Sequence, residues 1–275
     1  MQNDPIAHIK IKRFGNGLFS DVEDELAVEE PLQLQMAWYD GNGLHQQKNI
    51  AVTMRTPGHD EELAAGFLFT EGVLQHPEQI LGMYPGQNNV LIALRRGATP
   101  VLQQAERNFY TTSSCGICGK TGIDAIKTVS MYGNDPDKLR LPANLFYGLQ
   151  QSLQQKQVLF ESTGGLHAAA LFDTLGNCIS LREDVGRHNA LDKLIGAAFV
   201  NKQLPLHKHI LLLSGRAGFE LIQKATMAGI RVIAAVGAPS SLAVQLANEA
   251  GITLIGFLRN ERFNVYSGAE RVVSS

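Results

Sequence analysis

Polar and apolar positions alternate with period two through the first third of the chain. Within Ile6–Phe14, Ile9 and Ile11 alternate with Lys10 and Lys12. Within Leu32–Trp38, Leu32, Leu34 and Met36 alternate with Gln33 and Gln35. Asn49–Met54 follows the turn material Asp40–Gly43. Such runs, bounded by Gly and Asn, predict antiparallel strands with one solvated face. A helix is expected to open near Thr56-Pro57-Gly58-His59. Proline suits a first turn, and Asp60, Glu61 and Glu62 suit the positive end of a helix. Leu63, Phe67 and Leu74 give part of its apolar face, and Gly72 fits its end. Another strand is expected at Val90–Leu94.

From Tyr110 to Gly122 the pattern gives way to Thr, Ser, Gly and Cys, which is loop chemistry. A helix is predicted over Pro142–Lys156, with Phe146, Leu149 and Leu153 on one side. Gly165–Leu171 and Cys178–Leu181, joined near Asp173–Asn177, read as a hairpin. His188–Val200 reads as a helix carrying Leu191, Leu194, Ile195 and Phe199. After it come a strand (His209–Leu213), a helix (Gly218–Ala228), a strand (Arg231–Val236), a helix (Pro239–Ala250) and a strand (Ile252–Leu258). Pro239 is expected near the first position of that last helix. Such alternation implies right-handed crossovers and a partly parallel sheet covered by helices. The expected fold class is α/β. A strand-rich α+β N-terminal domain covers 1–109, a loop and linker 110–140, and a mixed-sheet domain 141–275.

Composition changes this picture little. With 44% hydrophobic and 18% charged residues, the chain is ordinary globular protein and not a long disordered one. The net charge of −2 gives no general attraction to nucleic acid or an anionic membrane. An anionic ligand must be held by a local site. No apolar run approaches the roughly 20 residues needed to span a bilayer. The N-terminus lacks the pattern of a signal peptide, so a cytoplasmic location is expected. Three cysteines make no disulfide framework.

Two of the three form Cys115-Gly-Ile-Cys118. A thioredoxin-like pair would open a helix after an early strand, whereas this pair lies mid-chain among glycines. A zinc site needs about four ligands, and only Cys178 remains unless two chains combine their pairs. Inert packing fits poorly beside Gly, Ser and Lys. An exposed nucleophile on a mobile arm fits best. Lys120 favours its thiolate, and a second nearby thiol suits persulfide chemistry.

Three other segments carry chemistry. Thr163-Gly164-Gly165-Leu166-His167 puts paired glycines and a histidine before an apolar strand, and glycines there allow close backbone approach to a ligand. Glu183–Ala190 concentrates charge, including Arg187 and His188, at a strand end that leads into a helix. Asp184 or Asn189 alone would serve as a cap. Ser214-Gly215-Arg216-Ala217-Gly218 is a strand–turn–helix junction with an arginine, mechanically like a phosphate-binding turn but lacking the Walker A glycines and lysine. Ala238-Pro239-Ser240-Ser241 repeats the arrangement. In parallel sheets these turns gather at the carboxyl edge, where ligands bind.

Taken in order, Met54–Ala64, Cys115–Gly119, Thr163–His167, Glu183–Leu191, Leu213–Arg216 and Ala238–Ser241 resemble the FdhD family of formate dehydrogenase accessory sulfur carriers over nearly the whole chain. The resemblance implies that sulfur is received from a cysteine desulfurase and delivered to the bis-molybdopterin guanine dinucleotide cofactor for formate dehydrogenase. Cys115 would hold the persulfide and Cys118 would assist. Cofactor contacts would fall on Phe257, Leu258, Arg259, Asn260, Glu261 and Arg262, with the phosphates near Gly215, Arg216 and the Arg187 turn, and with His167 and His188 nearby. A homodimer and the dehydrogenase apoprotein are the implied partners, and no resident metal is expected. The family's C-terminal half resembles the cytidine deaminase fold. His188-Asn189-Ala190 and Ser214-Gly215-Arg216-Ala217 lack the glutamate and cysteines of a deaminase zinc site. A chaperone that only holds the cofactor or the apo-dehydrogenase, and a zinc hydrolase or deaminase, are the alternatives.

Overall fold

The computed structural model describes residues 4–102, 130–132 and 139–274. Cys115 and Cys118 therefore lie outside the described residues. The chain opens with a two-stranded antiparallel ribbon, β1 (Ile6–Gly15) and β2 (Leu18–Ala27). One face of the ribbon is a ladder of opposite charges, with His8, Lys10 and Lys12 opposite Glu25, Glu23 and Asp21. This explains why β2 escapes the alternation rule: its acidic residues pair with β1 and do not mark a loop.

A four-stranded sheet follows in the order β4-β3-β6-β5, built from β3 (Glu30–Tyr39), β4 (His45–Arg55), β5 (Ile80–Pro85) and β6 (Asn89–Leu94). Helix α1 (Asp60–Thr70) lies between β4 and β5 in sequence. Leu32, Leu34, Met36, Val90 and Ile92 turn to its apolar side and are buried. The alternation visible in the sequence is thus the inner face of this sheet.

The larger sheet has six strands in the order β13-β12-β11-β10-β8-β9. A short strand β7 (Leu141–Pro142) leads into α2 (Ala143–Gln154) and α3 (Val158–Thr163). The hairpin is β8 (His167–Phe172) and β9 (Cys178–Asp184). Next come α4 (Arg187–Val200), β10 (Ile210–Leu213), α5 (Phe219–Met227), β11 (Val232–Ala235), α6 (Ser241–Glu249), β12 (Thr253–Arg259) and β13 (Arg262–Ser267). Strands β10, β11 and β12 run parallel, and β8, β9 and β13 add antiparallel neighbours. A last short strand, β14 (Val272–Val273), pairs with β7.

Both faces of the larger sheet are covered, so β10 reads as a continuous apolar run. Leu211 and Leu213 enter the core shared with α1, α4, α5 and the smaller sheet. Ile210 and Leu212 enter the core under α2, with Phe146, Leu149 and Leu153. The helix expected from Pro239 begins later. Ser240 is its cap, its hydroxyl oxygen accepting from the Ala243 N–H at 3.2 Å, and Pro239 lies just outside.

Helices α1 and α4 cross with their backbones in contact. A Cβ on Gly66 would strike the Asp192 carbonyl, and one on Gly196 would strike the Glu62 carbonyl. Only glycine at both positions permits this approach. Buried ion pairs flank the crossing. Arg55 donates two bonds of 2.9 Å to Asp60, and Lys193 meets Asp184 at 2.7 Å. Lys224 meets Asp192 at 2.9 Å. Burial opposes the charge on Lys224, but Asp192 and Glu71 outweigh it and raise its pKa.

Candidate functional site

The candidate site lies where β10, β11 and β12 end. After β10, Ser214 is held against β8: its hydroxyl oxygen accepts from the Ala168 N–H at 2.8 Å, and its own N–H donates to the Ala168 carbonyl at 3.0 Å. The Gly237 N–H donates to the Gly215 carbonyl at 2.9 Å, and the Phe257 N–H to the Gly237 carbonyl at 3.1 Å. Three successive turns are thereby laid side by side by backbone bonds. Gly215 lies under His167, so close that a Cβ at 215 would sit 3.2 Å from the imidazole Nδ1.

Two clefts open here. One, of about 390 Å³, is lined by Gln150, Gln154 and Gln157 on one side and by His167, Ser214 and Val236 on the other. Among the described residues, no charged side chain lines it. Its roof is α3, whose first N–H groups are fixed by Glu183: the carboxylate accepts from Phe160 N at 2.9 Å and Leu159 N at 3.2 Å. Burial raises the Glu183 pKa, against these bonds. The second cleft, of about 280 Å³, is lined by Phe257, Arg259, Arg262 and Asn264. Arg259 and Arg262 face each other across the β12–β13 pair. Phe257 stands at φ 52°, a left-handed conformation unusual for a bulky residue, beside an irregularity in that pairing. Val236 links the clefts: it lines the first, and its carbonyl accepts from Arg259 Nη1 of the second at 2.8 Å.

The other expected residues fall around this edge. Arg187 is the first residue of α4, and its buried Nε has no hydrogen-bond partner among the described residues. His188 Nε2 lies 3.1 Å from Glu220 Oε2. Burial, with Lys224 and Arg187 adding to it, lowers the His188 pKa to about 4. His167 is lowered too, by burial and then by Arg187. Both imidazoles are therefore neutral near pH 7, and they act as hydrogen-bonding groups and not as cations. Arg216 is exposed, and Asn260 and Glu261 form the exposed tip between β12 and β13. The Leu258 side chain points the other way, fully buried in the core under α2.

The charge density of Glu183–Lys193 has a structural origin that sequence reading misses. Asp184 accepts from Thr56 N at 3.2 Å and Gly186 N at 2.8 Å. Asn189 donates to the Met54 carbonyl at 2.7 Å, and Lys193 to the Thr56 carbonyl at 2.8 Å. Most of this motif fastens the start of α1 to the end of β9. Arg187 and His188 take no part in that clamp. The cleft glutamines were also missed: Gln150 and Gln154 stand one turn apart on α2 beside Leu149 and Leu153, and Gln157 lies in the turn just before α3.

Among the described residues, no group of three His, Cys, Asp or Glu side chains is placed to hold a metal ion. No described helix is long and apolar enough to cross a membrane. The third cysteine, Cys178, is half-buried, and burial raises its thiol pKa, which makes it a poor nucleophile.

A mixed α/β protein with a polar site at the carboxyl edge of its larger sheet is the class these features define. The model of the FdhD/NarQ family matches residues 27–273, and the chain belongs to that family. It is 47% identical to the sulfur carrier protein FdhD of Streptomyces avermitilis, over 96% of this chain and 94% of that one. It is 46% identical to the protein of the same name from Mycobacterium tuberculosis, over 97% and 98%. A crystal structure described as that of a formate dehydrogenase accessory protein from Desulfotalea psychrophila is similar in fold, with a TM-score of 0.73 at 22% identity. The match covers 98% of this chain and all of the other.

Proposed function

We propose that this chain is a sulfur carrier that serves formate dehydrogenase by sulfurating its bis-molybdopterin guanine dinucleotide cofactor. The Cys115 thiolate attacks the outer sulfur of a cysteine desulfurase persulfide. A new S–S bond forms on Cys115 as the donor's S–S bond breaks, and the donor leaves as a thiolate. No net oxidation occurs. Cys118, three residues away, supplies the second thiol that such relays use to resolve or share the sulfane sulfur. The cofactor is cargo. The Cys118 thiolate attacks the inner sulfur of the Cys115 persulfide, and the S–S bond to the terminal sulfur breaks. That sulfur leaves at the sulfide level for the cofactor's sulfur acceptor, and a Cys115–Cys118 disulfide is left for cellular thiols to reduce.

The observation that carries the cargo assignment is an uncharged cleft next to a cationic one. Arg259 and Arg262 line the second cleft, and the buried Arg187 Nε has no hydrogen-bond partner among the described residues. With exposed Arg216, these groups suit a diphosphate, for which arginine offers planar, multiple donors. The names carried by relatives, sulfur carrier protein FdhD, support the transfer itself. The desulfurase, the dehydrogenase apoprotein and a second copy of this chain are the partners of this reading, which places it in the cytoplasm.

A strain lacking the native protein tests the role. Wild type restores formate dehydrogenase activity, and the Cys115→Ala, Cys118→Ala double variant does not. Full activity with the double variant would make the protein a holder of the cofactor and not a carrier of sulfur.

A further inference from the structure

All of the ribbon except Ala27 precedes residues 27–273, the segment that the family model matches. None of its strand residues is buried. A two-stranded ribbon alone is marginally stable in water, so this one gains from being covered. Among the described residues, β2 packs against α3, and nothing pairs with the outer edge of β1. That edge is regular: its register with β2 is unbroken, and it holds no proline. The Val28 N–H donates to the Pro5 carbonyl at 2.9 Å, in the register that pairs Ile6 with Ala27. Bonded pairs alternate along an antiparallel ladder, so the odd-numbered residues of β1 turn their backbone groups to β2. The N–H and C=O of His8, Lys10 and Lys12 therefore point outwards, placed to take a third strand. The side chains of these three lie on the charged face, where Lys12 meets Asp21 at 3.2 Å. The other face carries Ile9 and Ile11 with Val22 and Leu26, interrupted by Asp24, which lies 3.7 Å from Arg13. Ile9 and Leu26 are 38% and 43% exposed.

We infer that the outer edge of β1 docks an extended segment of a partner protein in which acidic residues alternate with apolar ones. Main-chain bonds to His8, Lys10 and Lys12 supply affinity, as in other strand additions. The acidic side chains of the segment lie opposite Lys10 and Lys12, repeating on this edge the pairing that β2 makes on the other. Its apolar side chains widen the strip at Ile9 and Ile11 and cover it. The same lysines guard the edge against a second copy, because two β1 edges brought together set lysine against lysine. The acidic strand of a second copy, β2, is already packed against α3. Neither sulfur nor cofactor enters this contact.

Fluorescence titration of the full chain with two short labelled peptides tests it, one of alternating valine and glutamate and one of alternating valine and lysine. The glutamate peptide is expected to bind at least about tenfold more tightly, and to weaken as salt rises. Proline at an outward position removes no ladder bond to β2, so Lys10→Pro is expected to abolish binding with the ribbon intact. The Lys10→Gln, Lys12→Gln double variant keeps the strand and should lose most of the preference between peptides. Hydrogen exchange locates the contact. The Lys10 and Lys12 amides should exchange at least about tenfold more slowly with the glutamate peptide bound, and those of Ile9 and Ile11, already bonded to β2, should not change. Equal binding of the two peptides by wild type, no binding of either, or unchanged exchange at Lys10 and Lys12 would overturn the docking site. Protection of these two amides that grows with protein concentration in the absence of peptide would put a second copy on the edge, and would overturn the assignment of the partner.

Discussion

Lys193 Nζ lies 2.7 Å from Asp184 Oδ2, and both side chains are almost wholly excluded from solvent. The pair joins α4 to the end of β9, and through Thr56 it holds the start of α1. Removing one partner leaves a buried, uncompensated charge, which costs about 3–5 kcal/mol. Lys193→Met is expected to lower stability by that amount in urea unfolding. An unchanged midpoint would show that water reaches the pair.

The crossing of α1 and α4 admits no side chain at Gly66 or Gly196. Alanine at either position must push two backbones apart, so each single variant is expected to lose at least about 1–3 kcal/mol, the usual cost of overpacking. Gly148, on α2 with open space at its Cβ position, is the control. Alanine there should be neutral or slightly stabilising, because it reduces the freedom of the unfolded chain. Thermal unfolding of the three variants checks the contrast.

The depressed pKa of His188 has a defined pH window. The unfolded imidazole takes up a proton near pH 6.5, whereas the folded one waits until about 4. Between those values the unfolded state binds more protons, so stability falls as pH falls through the window. His188→Gln is expected to remove this part of the slope. An NMR titration of His188 should give a midpoint near 4, and a midpoint at or above 6.5 would contradict the placement beside Lys224 and Arg187.

Arg262 should contribute to anion binding and not to the fold, because it is exposed, whereas Arg259 also holds the Val236 carbonyl. Hydrogen bonds to charged groups are worth about 1.5–3 kcal/mol, so Arg262→Gln is expected to weaken GDP binding by roughly tenfold to a hundredfold. Its melting temperature should not move. Leu258→Ala is expected to behave in the opposite way, losing about 2–5 kcal/mol of stability through the cavity it opens.

The strand read at Leu32–Trp38, the hairpin and the alternating last third were legible because their periodicity reflects which face is buried, whereas the strand read at Ile6–Phe14 alternates without burying any of its residues. The ribbon partner β2 was not, since a strand stabilised by cross-strand charge looks like a loop when only apolar spacing is followed. β13 was hidden for a related reason: Arg262–Ser267 is an edge strand whose inward residues are few. At the site, His167, Gly215 and Arg187 were marked by glycine and charge, and they do gather at one sheet edge. Ser214 was marked only as part of the Ser214–Gly218 turn and Gln150 not at all, because an amide and a hydroxyl become informative only when the cleft beside them is seen. The motif around Asp184 carried a mixed signal, most of it a clamp between β9, α4 and the start of α1.

The central claim is that Cys115 carries sulfur. The most direct measurement is intact-protein mass spectrometry after incubation with a cysteine desulfurase and cysteine. The account predicts a sulfur adduct on wild type that reducing agent removes and that Cys115→Ala abolishes. An adduct of undiminished yield on Cys115→Ala would contradict it.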